Sequence, residues 1–233
     1  MKICGIQGVS LIDFPGKIAS ILFLGGCNFR CPFCQNGSLV EGYEQLPAID
    51  EGVVLDSLRK RKGFIDGVEI TGGEPLMNGK ELVAFLEKLR RTGLAIKLDT
   101  NGYDTGMLVE ILQAGLVDYI AMDVKTSLEK YPVAVGRKID TGKIVASIQA
   151  IMESGLEYEF RTTCVPGLVE GEDVESVARL IAGARHYYLQ QFKTDEPTLD
   201  PSYMRMAPHP PEKLAEFQHT AQKYVRAVAI RGI

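Results

Sequence analysis

The sequence predicts an α/β fold, a partial and laterally open (β/α)6 barrel of the TIM type with an N-terminal hairpin. Three observations predict it. Short β-rich runs alternate with amphipathic helical stretches along most of the 233 residues, the pattern of a parallel sheet with helices outside it. One face of each run is polar, whereas a doubly wound sheet has helices on both faces and strands apolar on both sides. About six such units are present, fewer than a closed barrel uses, so the sheet is expected to stay open along one side.

The elements follow in order. Met1 to Ser10 alternate weakly and lead into Asp13-Phe14-Pro15-Gly16, a turn-forming tetrapeptide. Lys17 to Leu24 completes the hairpin, and Ile18 to Leu24 within it reads as a buried strand. Glu41 to Asp50 reads as irregular, and Val54, Leu55 and Leu58 mark a helix over Glu51–Lys62. The later β runs are Gly67–Gly73, Ala95–Asn101, Tyr119–Lys125, Tyr158–Pro166 and Tyr187–Lys193.

Helices between them are carried by Leu82/Val83/Phe85/Leu86/Leu89, by Leu108/Ile111/Leu112, by Ile144/Val145/Ile148/Ile151/Met152 and by Val174/Val177/Ala178/Ile181. Asp104 is placed to cap one of them, and Gly93, Gly115 and Gly155 sit where glycines end helices. Pro210-Pro211 starts a last helix through Leu214, Phe217, Ala221 and Tyr224, and Val225–Arg231 reads as a final short strand. No linker, repeat or low-complexity segment divides the chain, so residues 1–233 are expected to form one domain.

Alternation assigns the faces. Ile96 and Leu98 oppose Lys97, Asp99 and Asn101; Ile120, Met122 and Val124 oppose Ala121, Asp123 and Lys125. Tyr158 and Phe160 oppose Glu159, Arg161 and Thr163, and Gln191 and Lys193 share a face. The polar residues gather toward strand C-termini, where barrels of this kind place their chemistry.

Bulk composition narrows the function. A formal charge of −4 argues against a nucleic-acid surface spread over the whole molecule. No apolar run approaches the ~20 residues of a membrane helix, and the N-terminus lacks the pattern of a secretory signal. Five cysteines without a signal point to a reducing cytoplasm.

Three of those cysteines, Cys27, Cys31 and Cys34, fall within eight residues with C-x3-C-x2-C spacing, directly after the first buried strand. Thiols held so close either bind metal or must be kept reduced. Structural zinc needs a fourth ligand, and neither a second C-x2-C nor a nearby histidine supplies one. A four-iron cluster on three thiolates would leave one iron for substrate. The remaining readings are a disulfide with a spare thiol and an incomplete zinc loop.

This spacing, with the aromatic Phe33 before the third cysteine, resembles the radical S-adenosylmethionine (SAM) superfamily. The resemblance implies a [4Fe-4S] cluster whose open iron is chelated by the amino and carboxylate groups of SAM. Thr71-Gly72-Gly73-Glu74-Pro75 ends the second strand; alone it reads as a turn, but here it resembles the motif that receives the SAM amino group. Glycines there would let carbonyls approach the ammonium, with Glu74 adding negative charge.

Asp99 and Asn101 close the third strand, and Asp123 and Lys125 the fourth. Capping and an internal ion pair are the plain readings, yet buried ion pairs rarely improve on apolar packing, which favours a ligand site. Asp123-Val124-Lys125 matches the D-x-K segment of glycyl-radical activating enzymes, where Lys125 would pair with the SAM carboxylate and Asp or Asn with ribose hydroxyls. Phe33 matches the aromatic near adenine. Gln35 stands where pyruvate formate-lyase activases carry a histidine, and Lys193 where related activases carry one near SAM. Arg161 faces the lumen and could hold a carboxylate or pair with Glu159. Cys164 is expected to be a core thiol, Cys4 lies on the N-terminal strand, and His186, His209 and His219 show no ligand spacing.

In such enzymes one electron from the reduced cluster breaks a carbon–sulfur bond of SAM, giving methionine and a 5′-deoxyadenosyl radical that abstracts hydrogen. The chain has no cysteine groups for auxiliary clusters, and an open barrel can admit a loop of another protein. Ser10 to Lys17, the cysteine loop, Gln190-Gln191-Phe192-Lys193 and Thr198-Leu199-Asp200-Pro201 resemble anaerobic ribonucleoside-triphosphate reductase activating proteins. The resemblance implies a glycyl-radical enzyme as protein substrate, a flavodoxin or ferredoxin-type electron donor, and no nucleic-acid or membrane partner. Alternatives are a radical SAM enzyme acting on a small molecule, like 7-carboxy-7-deazaguanine synthase, and a non-catalytic metal-binding scaffold.

Overall fold

The computed structural model describes residues 1–233. Eight strands, β1 (Ile3–Ser10), β2 (Ala19–Leu24), β3 (Gly67–Gly72), β4 (Ala95–Thr100), β5 (Tyr119–Asp123), β6 (Glu157–Cys164), β7 (His186–Gln191) and β8 (Ala227–Arg231), are hydrogen-bonded in chain order. β1 and β8 are the two edges, so the sheet does not close. The α-helices are α1 (Gly37–Val40), α2 (Glu51–Lys60), α3 (Gly79–Arg90), α4 (Thr105–Gln113), α5 (Tyr131–Ala134), α6 (Thr141–Glu153), α7 (Gly171–Leu180) and α8 (Pro211–Ala221). By internal contacts the chain divides into two compact units, residues 1–28, 38–121 and 154–157, and residues 29–37, 122–153 and 158–233.

In the first unit β1 and β2 form the expected antiparallel hairpin, with Ile6 opposite Leu22 and irregular register near both ends. β2, β3 and β4 then run parallel, Leu22 beside Ile70 and Ile70 beside Leu98. Apolar periodicity put helices where they form. Val54, Leu55 and Leu58 of α2 are buried, as are Leu82, Phe85, Leu86 and Leu89 of α3. Asp50 caps α2 by accepting from the Gly52 and Val53 N–H groups, and Asp104 caps α4 by accepting from Met107 N–H.

Phe14 of the hairpin turn is buried at the strand N-termini, packed with Ala19, Tyr119 and Ala121. Its ring explains Gly67: a Cβ there would lie 2.9 Å from Phe14 Cε1.

In the second unit β6, β7 and β8 run parallel, Phe160 beside Tyr187 and Tyr187 beside Val228. α6 buries Ile144, Ile148 and Ile151, and α7 buries Val174, Val177 and Ala178. A reciprocal capping box joins Glu170 and Asp173 at the start of α7.

The expected strands at β3 to β7 overrun the observed ones by one or two residues at their C-terminal ends, whereas β2 and β8 end at Leu24 and Arg231 as expected. Gly73, Asn101, Lys125 and Lys193 lie just beyond the ladders, where the chain turns away from the sheet. The reading of β7 also changes. Gln191 pairs in register with the buried Cys164 and donates from Nε2 to His209 O at 2.7 Å, so it faces the packed side. Tyr188 and Gln190 occupy the opposite face by alternation. The helices α1 and α5 and the 3-10 turns at Tyr43–Gln45, Pro75–Asn78 and Pro201–Arg205 were absent from the sequence reading. Turns of three to five residues are too short to carry a period.

Candidate functional site

The first unit contributes Cys27, the Gly-Gly-Glu-Pro turn and the end of β4. Gly72 has φ +128°, and a Cβ on it would sit 2.3 Å from Leu24 backbone atoms. A Cβ on Gly73 would lie 2.0 Å from Gly26 O. Both glycines are therefore demanded by the backbone of the segment leading into the cysteines. That approach is locked by two hydrogen bonds: Gly73 N–H donates to Leu24 O at 2.9 Å and Glu74 N–H to Gly26 O at 2.7 Å.

Glu74 is buried, and its carboxylate accepts from Leu76 N–H, Thr100 Oγ1 and Asn101 N–H at 3.1, 2.7 and 2.7 Å. It ties the β3 turn to the end of β4, and Pro75 opens the short helix that follows. Asn101 Nδ2 in turn donates to Asn28 Oδ1 at 2.7 Å and reaches the Cys27 sulfur at 4.0 Å. Asp99 lies in a buried ionic triad: Lys97 Nζ is 2.6 Å from Asp99 Oδ1 and 2.9 Å from Glu69 Oε2. Lys97 and Glu69 were not singled out in the sequence, although the alternation of Lys97, Asp99 and Asn101 was the signal.

The second unit holds the rest of the loop. Arg30 N–H donates to Val135 O at 2.8 Å, and Gly136, with φ +65°, admits the Arg30 carbonyl where a Cβ would be 2.3 Å away. Cys34 N–H closes a turn on Cys31 O at 3.0 Å. The segment from Thr198 laps this loop, with Leu199 N–H donating to Cys34 O at 2.9 Å and Asp200 N–H to Pro32 O at 2.8 Å. Phe33 is buried against Tyr203, which also meets Phe192 edge-on. Gln35 Nε2 donates to the carbonyl of Lys193 at 3.3 Å, while the Lys193 side chain is exposed.

Asp123, Lys125 and Arg161 come together as one cluster. Lys125 Nζ is 2.9 Å from Asp123 Oδ2, and Arg161 Nε is 2.8 Å from Asp123 Oδ1. Burial alone would raise the Asp123 carboxyl, but the Arg161 guanidinium and the Lys125 ammonium hold it far below the usual carboxylate range. Burial would likewise lower the Lys125 ammonium, yet Asp123 and then Cys31 hold it above the ordinary lysine range. Burial raises the Cys34 thiol, opposed by the Asn36 N–H and by Lys125.

Beside this cluster Glu159 is fully buried and paired with Arg231, an arrangement the sequence did not suggest because the two are so far apart in the chain.

None of the five cysteines is in a disulfide. No three Cys, His, Asp or Glu side chains are gathered at metal-ligating distances, and the C-x3-C-x2-C spacing is what marks Cys27, Cys31 and Cys34 as candidate ligands. Three soft sulfur donors on a loop fixed by backbone hydrogen bonds fit an iron–sulfur cluster.

Comparison with known proteins agrees. The Radical SAM superfamily profile matches residues 21–181. MJ1227 of Methanocaldococcus jannaschii, provisionally named a glycyl-radical enzyme activating enzyme, is 30% identical over 99% of this chain and 96% of its own. The pyruvate formate-lyase-activating enzyme of Clostridium pasteurianum is 29% identical over 79% of this chain and 78% of its own. Among solved structures, SuiB of Streptococcus suis bound to S-adenosylmethionine superposes with a TM-score of 0.67 at 15% identity, covering 91% of this chain and 52% of that one. That likeness shows the fold, a partial TIM-type barrel.

The chain belongs to the radical SAM superfamily and, within it, to the glycyl-radical enzyme activating enzymes. Enzymes of the superfamily use a [4Fe-4S] cluster and SAM. No helix is long and apolar enough to cross a membrane.

Proposed function

We propose that this protein is a radical SAM activase that installs a glycyl radical on a partner enzyme, and that the partner is an anaerobic ribonucleoside-triphosphate reductase. One observation carries the reading. Leu199 and Asp200, part of the segment that resembles the reductase activases, donate their N–H groups to Cys34 O and Pro32 O of the cysteine loop itself. The match to MJ1227 over 99% of the chain supports the activase part of this reading.

Cys27, Cys31 and Cys34 would hold the cluster. When bound, the cluster and SAM would supply the radical chemistry that removes a hydrogen atom from a glycine Cα of the partner. The chain's own residues bind, orient and exclude water. Gly72, Gly73, Glu74 and Pro75 shape the turn whose carbonyls would receive the SAM ammonium. Glu74, held by three hydrogen bonds, acts by fixing that turn and Asn101. Lys125, kept charged, would meet the SAM carboxylate, with Asp123 and Arg161 aiming it. Asp99 and Asn101 would meet the ribose and Phe33 the adenine, with Gln35 and Lys193 at the margin of the same site. A flavodoxin or ferredoxin supplies the electron, and five cysteines without a disulfide suit a reducing cytoplasm.

The test is anaerobic reconstitution with iron and sulfide, followed by incubation with SAM, a reductant and, in turn, candidate partners that include an anaerobic ribonucleoside-triphosphate reductase. A glycyl-radical EPR signal on the reductase is expected. SAM cleavage without a radical on any candidate partner would favour a small-molecule substrate and overturn the assignment.

A further inference from the structure

Glu159 is 0% exposed, and a buried carboxylate without a cation is strongly destabilising. Two arginines stand near it. Arg231 of edge strand β8 takes it bidentately, Nη1 to Oε1 at 2.8 Å and Nη2 to Oε2 at 2.9 Å. The same guanidinium lies 3.3 Å over the Tyr188 ring, which holds its plane. Arg161 Nη1 is 4.0 Å from that same Oε1, beyond hydrogen-bond reach, while its Nε bonds Asp123 at 2.8 Å. The charges thus form a line, Arg231–Glu159 then Arg161–Asp123–Lys125, in which Arg161 lies between two carboxylates.

We propose that Arg231 is a positioning residue for the SAM site. By neutralising Glu159 from the edge strand, it leaves Arg161 committed to Asp123 and so fixes the Asp123–Lys125 pair. The proposal rests on the reading of Asp123-Val124-Lys125 as SAM-binding. Without Arg231, the Arg161 guanidinium, 4.0 Å away, is a cation that Glu159 can draw on. A shift of about 1 Å brings Arg161 Nη1 from 4.0 Å to hydrogen-bond distance and draws it off Asp123.

The experiment compares R231M, R231K, E159Q and E159Q/R231M in cluster-loaded protein by equilibrium SAM binding, and as crystal structures of the unloaded proteins. R231M is expected to weaken SAM binding about tenfold, the size of one lost charge-assisted hydrogen bond, with Arg161 turned to Glu159. E159Q/R231M should recover to within about threefold of wild type, because no charge then competes for Arg161. R231K keeps a cation for Glu159 and should also stay within about threefold. If R231M does not fold, R231Q takes its place with the same expectations.

Unchanged affinity in R231M, or failure of the double variant to recover, overturns the proposal, since lost β8 packing would not be repaired by removing Glu159. If wild-type protein itself binds no SAM, the functional reading falls instead, while the position of Arg161 in R231M still reads the inference.

Discussion

Gly73 shows how little freedom the cofactor turn has. A methyl group placed 2.0 Å from Gly26 O must push two backbone segments apart and break the Glu74 N–H to Gly26 O bond. G73A is therefore expected to lose about 3 kcal/mol of unfolding free energy, at the upper end for overpacking, measurable by urea denaturation. Cys164 lies at the other extreme of reactivity. Burial pushes its thiol up to about 12, so little thiolate exists at neutral pH. Alkylation at pH ~8 followed by mass spectrometry should leave Cys164 unmodified in the native protein and modify it once the chain is unfolded.

At residue scale the sequence was legible where types alternated, as with Lys97, Asp99 and Asn101. It was less legible where one residue serves the fold and the site together. Glu74 was read as a charge near an ammonium, whereas its carboxylate is engaged by three donors of the chain. Residue types alone cannot show which donors a buried acceptor meets.

At the scale of elements, α7 depends on its capping box. Burial would raise the Asp173 carboxyl, but Lys130, Ser127 and the Glu170 N–H hold it below the usual carboxylate range. A carboxyl lowered in the folded state adds stability that is complete above its unfolded pKa of about 3.9 and is lost as pH falls through the folded value. D173N should cost about 1 kcal/mol at neutral pH. That difference should shrink on acidification below pH ~4, read from urea unfolding of both proteins across pH.

Helices and strands with clear periods were legible to within two or three residues at their ends, the largest miss being the last helix, which stops at Ala221 short of Tyr224. The face of Gln191 was not, since a polar residue at the end of a strand can bond to the outer layer, as it does to His209 O. Pairing of Glu159 with Arg231 was hidden by long separation along the chain, which no local pattern encodes.

For the molecule as a whole, the strand order equals the chain order, so each βα unit adds beside the last and the cysteine loop follows the first parallel strand. The fold class and the C-x3-C-x2-C motif were both readable because a regular alternation and a local spacing suffice for them. Replacing Cys27, Cys31 or Cys34 with Ala is expected to abolish the visible absorbance of the reconstituted protein while lowering the unfolding free energy of the unloaded chain by no more than about 1 kcal/mol. Retention of a full iron complement by any of the three would remove that cysteine from the ligand set.

The lap of Leu199 and Asp200 onto Pro32 and Cys34 has a consequence for how the gene can vary. Asp195, Glu196 and Pro197 are exposed and look like freely editable surface. Yet lengthening or shortening that connector would slide the lapping backbone out of step with the thiol-bearing loop, so an insertion there is felt at sulfur atoms encoded far upstream.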